Sequence, residues 1–282
     1  MPISLLTDMR LSGQPLLDFT DEIDGHLGTN GGGHIIEAYV FSCKHLEMSQ
    51  PLFNDGIPTV IFMPNSADEV SLVKDGQLIK LKSVWVCCGV IKNIQWLMPE
   101  QLEHIFVLRF NLSVFYSAFN VSPSMFLSNP VCSFEDLVDE RWLGIINEIY
   151  QTDNFEDKIA MMKNALSMSE KSSYLPYLVK IAIAHIDQRK GNTTVSELLS
   201  AIGGKVNQRW LQRNFIKYVG MAPKKYISLQ RFICTYGLYN IDKSSGLSDA
   251  AMVSGYYDYN HFQKDFKQYL GIAPSRYSWV SR

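Results

Sequence analysis

"YNHFQKDFKQYLGIAPSRY", from Tyr259 to Tyr277, decides the fold because much of its pattern is written twice. An earlier stretch reads "RWLQRNFIKYVGMAPKKY", from Arg209 to Tyr226. With Trp210 set against His261, the residues Gln, Phe, Tyr, Gly, Ala, Pro and Tyr coincide in order. In the second copy Phe262, Phe266 and Leu270 recur at four-residue steps and make one apolar helix face. Asn260, His261, Gln263, Lys264 and Lys267 fall on the opposite face, which is polar, donor-rich and cationic. A Gly-x-Ala-Pro phrase ends each copy.

Working outward, "LSDAAMVSGYYDY" before the second copy reads as helix, tight turn and the start of the next helix. Ser248 is expected to cap the first helix, and Ala251 is small enough for a second helix to cross closely. Gly255 stands where the chain needs a left-handed backbone, and Asp258 is expected to cap the following helix. The first copy has the same parts: Ser200 in place of Ala251, Gly204 in place of Gly255, and Asn207 as the cap. Leu211, Phe215 and Val219 are expected inside. Arg209, Gln212 and Arg213 project outward, with Trp210 at the flank. Arginine can grip guanine O6 and N7 in a bidentate fork, and glutamine can do the same for adenine N6 and N7. One such unit is often a plain helical hairpin, with a polar face that only meets water. Two units in register, each with a glycine turn and a donor-rich face, favour two helices that read two stretches of one duplex.

Charge agrees. Residues 1–189 hold 13 Lys and Arg against 23 Asp and Glu, whereas residues 190–282 hold 13 against 5. The overall charge of −2 therefore hides an acidic half and a basic half, and the basic half suits a polyanion.

On these residues the last third of the chain resembles the DNA-binding domain of the AraC family of bacterial transcription regulators. "NFIKYVGMAPKKY" and "DFKQYLGIAPSRY" are similar to the phrase that ends each half of the family's double helix-turn-helix. "GYYDYNHFQKDF" and "WLQRNF" are similar to its second and first recognition helices. The resemblance implies that "PKKYISLQRFICTYGLYNI" is a long helix joining the halves and presenting both to successive major grooves, about 34 Å apart. It implies DNA contacts from Arg209, Trp210, Gln212 and Arg213 in the first helix and from Asn260, His261, Gln263 and Lys264 in the second. Lys264 departs from the arginine common there and lacks its planar fork. Asp265 puts an acid beside the contact face, either to orient a neighbour or to weaken phosphate contact.

The first half reads differently. "HIIEAYVFSC", "TVIFMP", "EVSLV", "QLIKLKSVWVCCGVI" and "HIFVLRF" are strand-like and separated by the turn signals "NDGIP", "PNSAD" and "KDG". From about Ser113 the pattern turns helical, with "FEDLVDERWLGIINEIY" and then "FEDKIAMMKNALSM", capped by Asn154 or Asp153. "SEKSS" at 169–173 is the expected linker. The fold class is therefore α+β in two domains. Residues 1–170 form a β-rich regulatory or oligomerisation domain, an antiparallel sheet or cupin-like barrel with trailing helices. Residues 171–282 form an all-α domain with two helix-turn-helix units.

No apolar run approaches the ~18–20 residues that span a bilayer, and "MPISLLTDMRLSGQPLLDF" lacks a signal pattern, so a cytoplasmic protein without membrane partners is expected. The five cysteines form no C-x-x-C pair and read as buried thiols. His34 and Glu37 on one strand, with His45 nearby, suggest a cupin metal site but lack its tighter His-x-His cluster, and Cys43 with His45 lacks further ligands. No metal, cofactor or catalytic residue is expected, and no motif identifies a ligand-binding residue. The resemblance implies double-stranded DNA as partner, RNA polymerase as a further one, a small-molecule or protein effector at the N-terminal domain, and a homodimer. The alternative is an enzyme or DNA-repair protein carrying this DNA-binding module. It would need a metal cluster or an activated cysteine, and Cys132 in "NPVCSF" comes nearest.

Overall fold

A computed structural model describes residues 3–4, 34–43, 48–169, 175–204, 206–241 and 246–277. His45 and most of the expected linker, from residue 170 on, lie outside these. Among the described residues ten strands form in the first half: β1 (Ile3–Ser4), β2 (Ile35–Ser42), β3 (Ser49–Phe53), β4 (Thr59–Phe62), β5 (Val70–Lys74), β6 (Gln77–Leu81), β7 (Val84–Cys87), β8 (Ile94–Leu97), β9 (His104–Phe110) and β10 (Val131–Ser133). They make two five-stranded sheets, ordered β1-β3-β8-β5-β6 and β10-β7-β4-β9-β2. Every pairing is antiparallel except the short β1–β3 contact. Trp85 on β7 and Trp96 on β8 join the sheets edge to face, with ring centroids 5.1 Å apart.

The sequence pattern misses β1, β3, β8 and β10: β1 and β10 have only two and three residues, too few to show a period, and β3 contains Pro51. "QLIKLKSVWVCCGVI" is not one strand. It breaks at Lys82–Ser83, so that β6 joins one sheet and β7 the other. There the Lys82 amide donates to Ser133 Oγ (3.0 Å).

Helices follow: α1 (Leu112–Ala118), α2 (Glu140–Gln151), α3 (Phe155–Ser167), α4 (Tyr177–Gln188), α5 (Val195–Ala201), α6 (Gln208–Val219), α7 (Pro223–Ile241), α8 (Leu247–Val253) and α9 (Tyr259–Leu270). "FEDLVDERWLGIINEIY" is helical only from Glu140. Asp139 accepts the Trp142 amide there, and Phe134–Asp136 makes a separate 3-10 turn. Asn154 caps α3. Trp142 packs on Phe119 with centroids 4.5 Å apart, and Phe155 on Phe106 at 5.5 Å, so α2 and α3 lie against the β-domain. No described helix is long and apolar enough to cross a membrane.

One buried apolar cluster runs without a break from the sheets into the helical second half. Between the halves, Phe53 meets Phe232, Tyr236 and Tyr269. Gln230 Nε2 on α7 donates to the Asp55 carbonyl (3.1 Å).

Candidate nucleic-acid interface

The second half contains the two expected units, α5–turn–α6 and α8–turn–α9. The turns hold Gly204 at φ 64° and Gly255 at φ 87°, in the left-handed region. At the start of α6, Asn207 accepts the Trp210 amide (2.9 Å); at the start of α9, Asp258 accepts the His261 amide (2.7 Å). Each cap satisfies an amide that has no partner within its own helix. Thr194 opens α5 with a reciprocal capping box, Glu197 N to Thr194 Oγ1 (3.2 Å) and Thr194 N to Glu197 Oε2 (2.7 Å). Ser248 is not a cap. Leu247 packs against the core and starts α8 one residue earlier, behind Gly246, which leaves Ser248 exposed in the first turn.

Helices α6 and α9 both divide as their periodicity requires. Leu211, Phe215, Val219, Phe262, Phe266 and Leu270 are buried. Arg209, Gln212, Arg213 and Lys217 on α6 are exposed, as are Asn260, His261, Lys264 and Lys267 on α9. Trp210 and Gln263 are half-buried. Trp210 packs its ring against the core while its carbonyl accepts from Asn214 Nδ2 (2.8 Å). His261 leans edge-on against Tyr256, centroids 5.1 Å apart. Lys217 stretches over the Tyr218 ring, 5.0 Å from its centroid.

Asp265, ambiguous in sequence, turns away from the exposed face. Its Oδ2 accepts from Ser228 Oγ on α7 (2.8 Å) and from the Tyr256 hydroxyl (3.1 Å). Burial, and then the Asp265 charge, hold the Tyr256 phenol well above its ordinary value, so it stays a donor. Arg231 extends this network. Its Nε and Nη2 donate to the Gly191 carbonyl (3.1 and 2.9 Å), Nη2 also donates to the Thr193 carbonyl (3.2 Å), and the guanidinium lies over the Tyr256 ring. One side chain on α7 thus ties the entry to the first unit to the turn of the second. The family resemblance puts Arg231 on a helix, but the sequence holds no sign of the carbonyls it meets.

In the first half, Glu37 is committed elsewhere than to a metal. It and Asp55 flank the buried Arg109, which bonds to both. Burial opposes the Arg109 charge, but the Asp55 and Glu37 carboxylates outweigh it and hold the guanidinium above its ordinary range. Burial lowers His34, helped by the Lys163 charge. Cys132 is pushed up to about 12 by burial and by the Asp136 charge, and Cys43 and Cys88 to about 12 by burial. A thiol held protonated is a poor nucleophile.

Comparison with known proteins finds a helix-turn-helix domain family matching residues 205–278. An uncharacterized HTH-type transcriptional regulator, YidL, of Escherichia coli (strain K12) is 32% identical over 69 residues, 24% of this chain and 23% of that protein. The match thus spans about a quarter of that relative. Among solved structures, the chain is similar to an apo variant of ToxT from Vibrio cholerae strain SCE256, with 14% identity, TM-score 0.47, and coverage of 86% of this chain and 96% of that one. ToxT from Vibrio cholerae O395 bound to (E)-4-(8-methylnaphthalen-1-yl)but-3-enoic acid gives 14% identity, TM-score 0.46, and coverage of 85% and 96%.

Proposed function

We propose, from the premise that the chain carries an AraC-type helix-turn-helix DNA-binding domain, that it is a cytoplasmic, sequence-specific transcription regulator. The observation that supports this best is the pair of capped helices, α6 and α9. Both bury one face; on the other, α6 exposes arginine, glutamine and lysine, and α9 exposes asparagine, histidine and lysine. Arg209, Gln212 and Arg213, with Trp210 at the flank, read one half-site in a major groove. Asn260, His261, Gln263 and Lys264 read the next. The N-terminal domain pairs two copies and transmits the state of an effector, a small molecule or a protein, to the reading helices. RNA polymerase is the downstream partner.

Selection from a random duplex library with the full-length protein tests the reading. It should enrich one motif with two half-sites about one helical turn apart, with affinity that falls steeply as salt rises. A library that returns no enriched motif would sink it. Native mass spectrometry of the same preparation checks the dimer and any retained ligand.

A further inference from the structure

The two reading helices are not held by the helical domain alone. Each ends at a left-handed glycine, Gly220 at φ 77° after α6 and Gly271 at φ 79° after α9, and the two occupy equivalent places in the repeated phrase. Each glycine is also where the N-terminal domain touches its helix. The Tyr116 hydroxyl on α1 donates to the Val219 carbonyl (3.5 Å), at the last residue of α6, and shares a bond with Cys88 Sγ (2.9 Å). A methyl group on Gly220 would lie 2.9 Å from that hydroxyl and 3.1 Å from the Pro123 carbonyl. At the other helix, the Asn93 amide donates to the Tyr269 carbonyl (3.1 Å), and a methyl on Gly271 would collide with the Asn93 side-chain oxygen. Asn93 is itself fixed, at φ 49° with Nδ2 donating to Asp75 Oδ1 (3.3 Å).

Helix α7 joins the two units, and α6 meets it through the turn at Gly220–Ala222 and through Phe215 against Tyr226, ring centroids 6.2 Å apart. The N-terminal domain adds a second connection, reaching one reading helix from α1 and the other from the loop before β8. A body linked at two separated points resists rotation that a single linking helix permits.

We infer that the N-terminal domain sets the half-site spacing the protein accepts, with Tyr116 and Asn93 as positioning residues that hold the C-terminal ends of α6 and α9. This rests on the DNA reading proposed above. Moving one half-site by a base pair shifts it by about 3.4 Å and turns it by about 35° around the duplex, which a rigid pair of helices cannot follow without losing contacts. A loosened pair follows more easily and discriminates less.

The test uses the full-length protein, its selected motif, and the same half-sites moved one base pair closer or farther apart. Asn93→Gly removes the side chain against Gly271 and keeps a backbone that glycine adopts freely; Tyr116→Phe removes the hydroxyl and keeps the ring. Wild type should prefer its own spacing by about tenfold or more, and the double variant by about threefold or less. Affinity for unrelated DNA should not change, and thermal melting should confirm that the Asn93→Gly protein is folded. A purely structural role would weaken binding to all spacings alike, so an unchanged preference in the double variant overturns the inference. A wild type without sequence preference would instead overturn the underlying reading.

Discussion

Phe53, at the end of β3, meets Phe232, in the middle of α7, edge to face with ring centroids 5.2 Å apart at 78°. Both are fully buried. Tyr236 and Tyr269 complete the cluster, so the helix between the two helix-turn-helix units is covered by a strand of the other domain. A fragment beginning near residue 171 would leave that aromatic face in water. The DNA measurements therefore belong on the full chain.

Phe53→Ala should cost about 3–5 kcal/mol, because it removes a large buried ring and leaves a cavity between two domains that cannot close up freely. Chemical denaturation measures this. A loss below about 1 kcal/mol would mean that the interdomain contact contributes little to the folded state.

Arg213 and Lys217 separate reading from general attraction to the duplex. Arg213→Ala should cost about 1–3 kcal/mol on the cognate motif, with little effect on a scrambled duplex. Lys217→Ala should weaken both duplexes about equally and lower the salt slope by about one at most. Both positions are exposed on α6, so melting temperatures should hardly move. Binding titrations of both variants at two salt concentrations decide it. Equal losses on the two duplexes for Arg213→Ala would show that α6 does not read bases.

Asp187 on α4 gives the domain a mild pH dependence. Its carboxylate is drawn in toward the Tyr226 hydroxyl (2.9 Å) although the residue as a whole stays open to solvent. Burial pushes it up to about 6; the Tyr226 hydrogen bond opposes this, and the Asp55 charge adds to it. The folded state therefore holds this proton more tightly than the unfolded chain, and the associated stability is lost as pH rises through about 6. Asp187→Asn keeps an acceptor for Tyr226 without titrating. It should be more stable than wild type above pH ~6 by about 0.5–1 kcal/mol after allowance for solvent screening, with the gap closing below pH ~4. Melting curves at pH 4, 6 and 8 check this, and a gap that widens toward acid would refute the assignment.

Arg109→Ala should cost about 3–5 kcal/mol, since it leaves Glu37 and Asp55 beside each other without their cation. Arg109→Met combined with Glu37→Gln and Asp55→Asn should recover much of that loss, because no buried charge remains unpaired. Urea unfolding of the single and triple variants tests it. A triple variant no better than Arg109→Ala would show that packing, not charge, sets the cost.

How far the residues alone lead differs between the halves. Leu211, Phe215, Val219 and their counterparts on α9 were legible because an amphipathic helix writes its buried face at a fixed period. Asn207 and Asp258 were legible as caps because the amides they satisfy lie three residues away in the chain. The short strands β3, β8 and β10 were not legible. Each is held by partners far off in sequence: β3 pairs Leu52 with Ile94, and β10 pairs Val131 with Cys87.

The sequence by itself determined the two helix-turn-helix units, their exposed donor faces and the basic charge behind them, since all three follow from local periodicity, capping and composition. Only the tertiary structure decided that Asp265 turns inward to Ser228 and Tyr256, that Arg231 joins the two units, and that Tyr116 and Asn93 meet the C-terminal ends of α6 and α9. The physical reason is that periodicity specifies which face of a helix leaves water. Which distant surface receives that face depends on how the whole chain packs.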